Sequence, residues 1–286
     1  MLLSRRVHAP PAAGLSLRMA RAISEDLVMR HVATEGILSD ERVTIPLLGR
    51  GTSEAGARLL VVFSGIVHMV GAGVDATLRP GDYVIAPTAG FLTRSDAAST
   101  LELDLRTATA VRTAITGRLA ASARERLRAV VTALWESADV DALARDVEAW
   151  LVAEGILTGR PLALGCDPEE QRIITLVDRS LERLAAQPMR VDLEEGARVS
   201  AKTISRRIDR VHARLGLHGL GARTDWRATR DFYRLLVAAL LASSGRLSTR
   251  DLAAYSGYGS AEALCHAFAT RGLPSPARFR AAVAAA

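Results

Sequence analysis

The chain has 286 residues, 49% of them hydrophobic and 24% charged, a composition typical of a globular protein and unlike that of a disordered or fibrous one. This length exceeds the usual size of one domain and predicts two. No apolar run approaches the roughly 18 residues that a membrane-spanning helix needs, so the composition argues against an integral membrane protein.

The charge is unevenly distributed along the chain. Residues 171–286 contain 19 Lys and Arg against 10 Asp and Glu, a net charge of +9, whereas the remaining residues contain 18 against 21, a net charge of −3. A basic part joined to an acidic part is typical of a nucleic-acid-binding domain attached to a domain of another kind.

The N-terminus is basic, is interrupted by Pro10 and Pro11, and lacks the unbroken apolar segment of a secretory signal. We therefore interpret residues 1–22 as a mobile tail. The two cysteines, Cys166 and Cys265, have no paired spacing, as is usual for proteins of a reducing compartment. Together these features predict a cytoplasmic protein without membrane attachment.

The segment 23–110 has the pattern of a β domain. Short apolar runs alternate with polar residues or are rich in β-branched side chains, and Gly, Pro, Ser or Asp separates them. The runs are 41–48, 58–63, 66–70, 74–78, 82–86 and 100–105. Short strands at such regular spacing predict a small barrel or sandwich.

From about residue 111 the apolar period becomes helical. Residues 111–157 contain two amphipathic helices, and Gly and Pro at 158–170 mark a linker, which ends in a helix start at 167–170. Short helices fill the rest of the chain, with the clearest patterns at 200–215, 225–243, 248–255 and 260–270. The sequence therefore predicts an α+β protein, with a small β-barrel and helices followed by an all-α domain at 171–286.

The most specific pattern lies at 247–280. A small residue lets two short helices cross, a glycine turns the chain, and apolar residues fill a small core between the helices. The residues in question are Leu252, Ala253, Gly257, Tyr258, Leu264, Phe268 and Pro276 to Arg280. This segment resembles the second helix-turn-helix of the AraC/XylS family of bacterial transcription regulators. One departure is that the family's glycine before the closing proline falls on Leu273, with Gly272 one place earlier, which predicts a differently built turn.

The resemblance extends toward the N-terminus with less specific matches. The segment 225–243 is similar to the family's linker helix, and 200–208 is similar to its first recognition helix. In this register Arg198 takes the place of the family's turn glycine and Glu194 that of its packing alanine. A second register uses Leu193 and Ala197 instead and shifts the recognition helix by three residues. Both registers stay open at this stage.

The N-terminal half resembles the cupin-type sensor domain that this family often carries. Residues 78–87, with Gly81-Asp82 and Pro87, are similar to the step between two cupin barrel strands. The resemblance implies a sensor barrel at 23–110 that holds a small-molecule effector. It also implies that the helices at 111–157 mediate homodimerisation.

A recognition helix reads base edges in the major groove, so the residues off its apolar stripe are the candidates for contact with DNA. In the first helix-turn-helix the stripe is Ile204, Ile208 and Val211, and the candidates are Lys202, Thr203, Arg206, Arg207 and Arg210. We assign Arg206 or Lys202 to base edges and Arg207 and Arg210 to phosphates.

The second helix-turn-helix offers weaker chemistry. Its candidates are Ser260, Glu262, His266 and Arg271, with no arginine before the last of these. Glu262 could accept a hydrogen bond from a cytosine amino group, and His266 could donate one to a phosphate or a guanine. A role limited to positioning on the DNA backbone is the equal alternative.

A metal-dependent cupin enzyme would need several histidines and a carboxylate that converge inside the barrel. The predicted strands contain one histidine, His68, and Phe91, Leu92 and Thr93 follow the proline turn where a ligand histidine would be expected. A single imidazole does not hold a catalytic metal. We therefore expect no metal, no cofactor and no enzymatic activity.

The favoured hypothesis is a transcription regulator that binds promoter half-sites, under the control of an effector or of dimerisation, and that contacts RNA polymerase if it is an activator. The alternative is a cupin-type ligand-binding or protein-interaction module whose helical domain no longer reads DNA. A third hypothesis, a cupin enzyme, would require a bound metal.

Overall fold

The computed structural model describes residues 3–12, 15–23, 27–36, 38–40, 57–71, 74–87, 91–105, 114–136, 140–153, 169, 172, 176, 195–214 and 226–285. The chain divides into two compact units. The first comprises Met1–Arg5, Met19–Ala33 and Thr52–Cys166, and the second comprises Arg6–Arg18, Thr34–Gly51 and Asp167–Ala286. The strand predicted at 41–48, and all of the predicted linker 158–170 except Glu169, lie outside the described residues.

Nine described strands precede the helices. They are β1 (Leu3–Ala12), β2 (Leu15–Ile23), β3 (Leu27–Glu35), β4 (Leu38–Asp40), β5 (Ala57–Gly71), β6 (Val74–Leu78), β7 (Asp82–Pro87), β8 (Phe91–Leu105) and β9 (Ile115–Arg118). The main sheet runs in the order β1-β2-β3-β8-β5-β7-β9, and β6 pairs with β5. Every pairing with a described register is antiparallel.

Seven described helices follow: α1 (Ala121–Glu136), α2 (Val140–Ala153), α3 (Ala201–Arg214), α4 (Trp226–Ser243), α5 (Thr249–Tyr255), α6 (Ala261–Thr270) and α7 (Pro276–Ala285). An antiparallel sheet with segregated helices is an α+β fold, so the predicted fold class is confirmed. The helices predicted at 225–243, 248–255 and 260–270 are confirmed by α4, α5 and α6.

The long strand β5 replaces two predicted strands. The sequence suggests a turn at Ser64-Gly65, yet β5 continues through it and shifts its register against β8 there. Gly65 has φ +75°, and a Cβ at this position would lie 2.5 Å from the carbonyl oxygen of Ala97. Glycine therefore permits a bulge that bends the strand without ending it.

Strands also occupy the N-terminal segment for which we expected a mobile tail. In β2 Leu15, Leu17 and Met19 are buried, and so are Ala20 and Ala22. Alternate residues are buried at the start of the strand and neighbouring residues toward its end, so the strand is covered on both faces there.

The strand β9 is a second difference, since the helical pattern from residue 111 suggested that a helix begins there. Instead β9 pairs with β7, and α1 begins only at Ala121. Gly117 lies so close to Tyr83 that a Cβ would come within 2.8 Å of its ring. Such a close approach of backbone to a ring needs glycine in the strand.

The sheet of the first unit has two different faces. One face, with Leu59, Leu101 and Leu103, packs against the buried positions of α1 and α2, among them Leu134 and Leu151. The opposite face contains a second apolar cluster with Leu60 and Val62.

Three charged side chains are buried on that opposite face. Glu102 of β8 accepts from Arg30 of β3 at 3.1 Å and from Arg58 of β5 at 2.9 Å, through the same oxygen, Oε2. The side chain of Arg58 is fully buried, and those of Arg30 and Glu102 are 8% and 9% exposed. The triad therefore connects three neighbouring strands.

On the helical face His31 connects the sheet to α1. The Trp135 Nε1–H donates to His31 Nδ1 at 3.0 Å, and His31 Nε2 lies 2.9 Å from Ser99 Oγ. The indole can only donate, so Nδ1 must be the acceptor and Nε2 carries the proton that Ser99 receives.

Trp135→Phe should therefore lower the free energy of unfolding by about 1 kcal/mol, because it removes the hydrogen bond and keeps an aromatic ring. Urea unfolding followed by circular dichroism measures this change. The same substitution at Trp150, half-buried in the same core, serves as the control and should change the stability less. An unchanged midpoint for Trp135→Phe would contradict the assigned bond.

Candidate nucleic-acid interface

The helix α4 is the scaffold of the helical part of the second unit. Every residue from 232 to 242 is buried, on all sides of the helix. The helices α3, α5, α6 and α7 all contact α4. A helix that is buried all round is a core element, and it fixes the helices packed against it.

The helices α5 and α6 form a helix-turn-helix whose turn is fixed by local hydrogen bonds. Ser248 caps α5 in a capping box with Asp251. At its end Gly257 has φ +80°, its N–H donates to Ala254 O at 3.2 Å, and the Tyr258 N–H donates to Ala253 O at 2.8 Å. This is the Schellman pattern, which needs a left-handed residue at the glycine position.

A small aromatic core holds this helix-turn-helix together. Leu264, Phe268 and Phe279 are fully buried, and the rings of Phe268 and Phe279 meet edge to face with centroids 5.8 Å apart. Arg280 Nη1 donates to the carbonyl of Leu247 at 2.7 Å and so ties α7 to the start of α5.

The turn after α6 explains the displaced glycine. Gly272 has φ +68° and directly follows the C-cap Arg271. Its N–H donates to Ala269 O at 3.0 Å, and the Leu273 N–H donates to Phe268 O at 2.9 Å. Gly272 therefore closes α6 with a second Schellman pattern.

The first helix-turn-helix turns at Arg198, which is left-handed with φ +54° although it is not a glycine. Ser200 then begins α3, because its hydroxyl accepts from the Thr203 N–H at 3.3 Å. Arg172 donates to the carbonyls of Gly196 and Ala197 just before the turn. This geometry favours the register in which Arg198 takes the place of the turn glycine.

The two sides of α3 differ in charge. Ile204 and Ile208 are buried, whereas Lys202, Arg206 and Arg210 are exposed. The hydroxyl of Thr203 lies 3.1 Å from Ser200 Oγ, so this half-buried side chain helps to cap the helix. The outer face of α3 therefore has a net positive charge, and it also carries the exposed carboxylate of Asp209.

Arg207 does not share this outer face. Its side chain is only 15% exposed and pairs with Glu169, which lies in the same unit. Sequence reasoning assigned it to a phosphate, because helical spacing alone cannot show a partner 38 residues away. In the structure Arg207 pairs with the half-exposed Glu169, and its assignment to a phosphate stays a prediction.

The outer face of α6 is different. Glu262 and His266 are exposed, and Ser260 accepts from the Ala263 N–H at 3.2 Å as the N-cap. Hydrogen bonds from its own backbone N–H and from Ser260 lower the pKa of Glu262, so it is a carboxylate at neutral pH. The first cation after the turn that precedes α6 is Arg271, exposed at the far end of this helix.

Sequence reasoning missed a charged stripe on α4. Arg227, Arg230 and Arg234 all lie within 4 Å of Asp231, and the guanidinium of Arg234 stacks over the Tyr258 ring at 5.9 Å. The spacing of three, four and seven residues is visible in the sequence and would have placed these side chains on one helix face.

The sheet shows no assembled metal site among the residues that the structure describes. His68 is exposed on β5, and its Nδ1 lies 3.0 Å from Thr77 Oγ1. Within the same described residues, no helix is both long and apolar enough to cross a membrane.

No family model matches the chain, and no curated protein matches it in sequence. Among solved structures, ToxT from Vibrio cholerae O395 is 12% identical over 74% of this chain and 83% of its own, with a TM-score of 0.31. Ylba from E. coli is 16% identical over 38% of this chain, which spans 46% of Ylba, with a TM-score of 0.28. Scores this low carry no functional inference.

Proposed function

We propose that the chain is a sequence-specific DNA-binding transcription regulator of the AraC type. The observation that carries the proposal is the outer face of α3, which presents Lys202, Arg206 and Arg210 opposite a buried apolar stripe. A cationic helix of this kind, held after a short turn on a rigid scaffold, is suited to the major groove. The net charge of +9 over residues 171–286 supports attraction to phosphates.

Within α3 we assign the base contact to Arg206 or Lys202, since an arginine or lysine can bind the O6 and N7 acceptors of guanine. Arg210 is assigned to a phosphate and Thr203 to the edge of the interface. Arg207 supports α3 through its pair with Glu169. In the second helix-turn-helix Ser260 and Glu262 would lie at the groove with His266, and Arg271 would contact the backbone.

The first unit of the chain, with its sheet and the helices α1 and α2, is proposed to control this activity. It would bind a small-molecule effector or form a homodimer, so that two copies engage two promoter half-sites in the cytoplasm. An activator of this kind would also contact RNA polymerase. None of these roles requires a metal, a cofactor or catalysis.

Arg206→Ala should weaken DNA binding by about 1–3 kcal/mol if the side chain reads a base edge. Fluorescence anisotropy with duplex DNA from the region upstream of the gene measures the affinity. Arg79→Ala serves as the control, because it removes another exposed charge, from the turn before β7. Equal affinity of Arg206→Ala and wild type would contradict the assigned contact, and wild type that does not bind at low salt would contradict the proposal itself.

A protein-interaction or ligand-binding module without DNA recognition is the second candidate. The internal pairing of Arg207 and the anionic start of α6 at Glu262 favour it. Affinity capture and DNA binding with one preparation separate the two functions. The module predicts a stable protein partner and no DNA binding.

A further inference from the structure

The face of α4 that contacts the second helix-turn-helix carries more positive charge than α6 itself. Asp231 lies 3.8 Å from Arg227, 3.0 Å from Arg230 and 3.9 Å from Arg234, measured between the closest charged atoms. One carboxylate therefore faces three guanidinium groups. The stripe keeps a net charge of +2, and Arg227 at its outer end is 84% exposed.

This stripe is continuous with the turn of the second helix-turn-helix. Arg234 is buried and stacks over Tyr258, which directly follows the turn glycine. Burial raises the pKa of Tyr258 above its usual range and so does Asp231, whereas Arg234, Arg271 and Arg230 oppose that shift. Arg271 is exposed at the C-cap of α6, the helix that follows Tyr258. We call Arg227, Arg230, Arg234 and Arg271 the α4 basic cluster.

The α4 basic cluster has the positive charge that α6 lacks. The residues of α6, Ala261–Thr270, include no lysine or arginine, and their one ionised side chain near the helix start is Glu262. A helix-turn-helix still needs phosphate contacts to fix its register on the duplex. In this helix-turn-helix the guanidinium groups beside the turn are the groups that could supply them.

We propose that Arg227, Arg230 and Arg271 form a second phosphate-binding surface, which holds the backbone of duplex DNA beside α6. Without DNA, Asp231 pairs with Arg227 and Arg230 and competes with phosphate for their guanidinium groups, and the Tyr258 ring holds Arg234. The inference rests on the proposed DNA-binding function and adds the residues through which the second helix-turn-helix attaches. In this inference the second helix-turn-helix contacts the DNA backbone, and α3 contacts the base edges.

The experiment measures the salt dependence of binding to a fluorescein-labelled duplex of mixed sequence, between about 50 and 200 mM salt, with the full chain. The double variant Arg227→Ala with Arg271→Ala should lower the slope of log K against log salt by about 2, about 1 for each lost phosphate contact. The matched control, Arg79→Ala with Arg118→Ala, removes two exposed charges from the strands and turns of the first unit, outside the helices α1 and α2, and should keep the wild-type slope.

Asp231→Asn should strengthen DNA binding at low salt relative to wild type, because it removes the carboxylate that competes with phosphate. This is expected although the helix loses ion pairs. A cluster that serves only the stability of α4 predicts unchanged or weaker binding by Asp231→Asn and an unchanged slope for the double arginine variant. Either result overturns the inference.

The outcomes also separate this inference from the proposed function. In one outcome wild type binds DNA and Arg206→Ala binds it more weakly, but the double arginine variant keeps the wild-type slope. That outcome overturns only the second phosphate-binding surface. Wild type that fails to bind any duplex at low salt overturns the DNA-binding function, and the inference with it.

Discussion

Phe268→Ala should lower the free energy of unfolding by about 3–5 kcal/mol, as is typical when a fully buried phenylalanine is truncated. The side chain has no exposed surface and packs edge to face against Phe279, which belongs to α7. Its loss opens a cavity between the two helices and removes the aromatic pair. A domain that is stable by only about 5–15 kcal/mol loses a large part of its stability in this way.

Urea unfolding of the full chain, followed by circular dichroism at the helical signal, measures this loss. His266→Ala on the same helix is the control, because this side chain is exposed and its removal should change the stability by about 0.5 kcal/mol or less. A loss below about 1 kcal/mol for Phe268→Ala would show that the site is not the packed centre of the second helix-turn-helix.

Glu102→Gln should cost the first unit about 3–5 kcal/mol, because it leaves two buried guanidinium groups without their shared carboxylate. Both Arg30 and Arg58 donate to the same oxygen of Glu102, and each of the three residues belongs to a different strand. Glutamine has nearly the same size, so the effect isolates the charge.

Glu125→Gln is the matched control, since Glu125 is exposed on α1 and the same atoms change there. Urea unfolding monitored by the β-sheet signal in circular dichroism reports on the stability of the sheet. Equal stability of Glu102→Gln and Glu125→Gln would mean that the triad contributes no more than a surface ion pair.

The helices α5 and α6 could be predicted almost to the residue. Their apolar spacing coincides with local signals that fix the ends, such as Ser248, Gly257 and Ser260, and each signal acts on residues only a few positions away. There the local conformational preferences agree with the tertiary packing, and such agreement makes the structure of a segment predictable from its sequence.

Long-range partners could not be predicted in this way. The strand β5 passes through Ser64-Gly65 because Ala97 of β8 lies against the glycine, and the sequence around residue 65 does not contain that contact. In the same way Arg207 has the helical position of a DNA contact, and only the folded chain brings Glu169 to it.

The candidate site could therefore be predicted only in part from the sequence. The exposed positions of Lys202, Arg206 and Arg210 follow from the helical period, because Ile204 and Ile208 must face the core. The surroundings of α6 do not follow from its own sequence, since the positive charge beside it lies mainly on α4, two helices earlier in the chain. From its own sequence the second helix-turn-helix has few cations, whereas in the folded chain the arginines of α4 add positive charge beside its turn.

Footprinting across the genome of the source organism, with tagged wild type and with Arg206→Ala, tests DNA recognition through α3. Such recognition predicts a limited set of protected sites upstream of genes, with a shared sequence and half-sites about one helical turn apart or a multiple of that spacing. It also predicts that Arg206→Ala loses protection at these sites while the protein stays folded. Wild type that protects no sites, or the same sites with the same occupancy for Arg206→Ala, would contradict DNA recognition through α3.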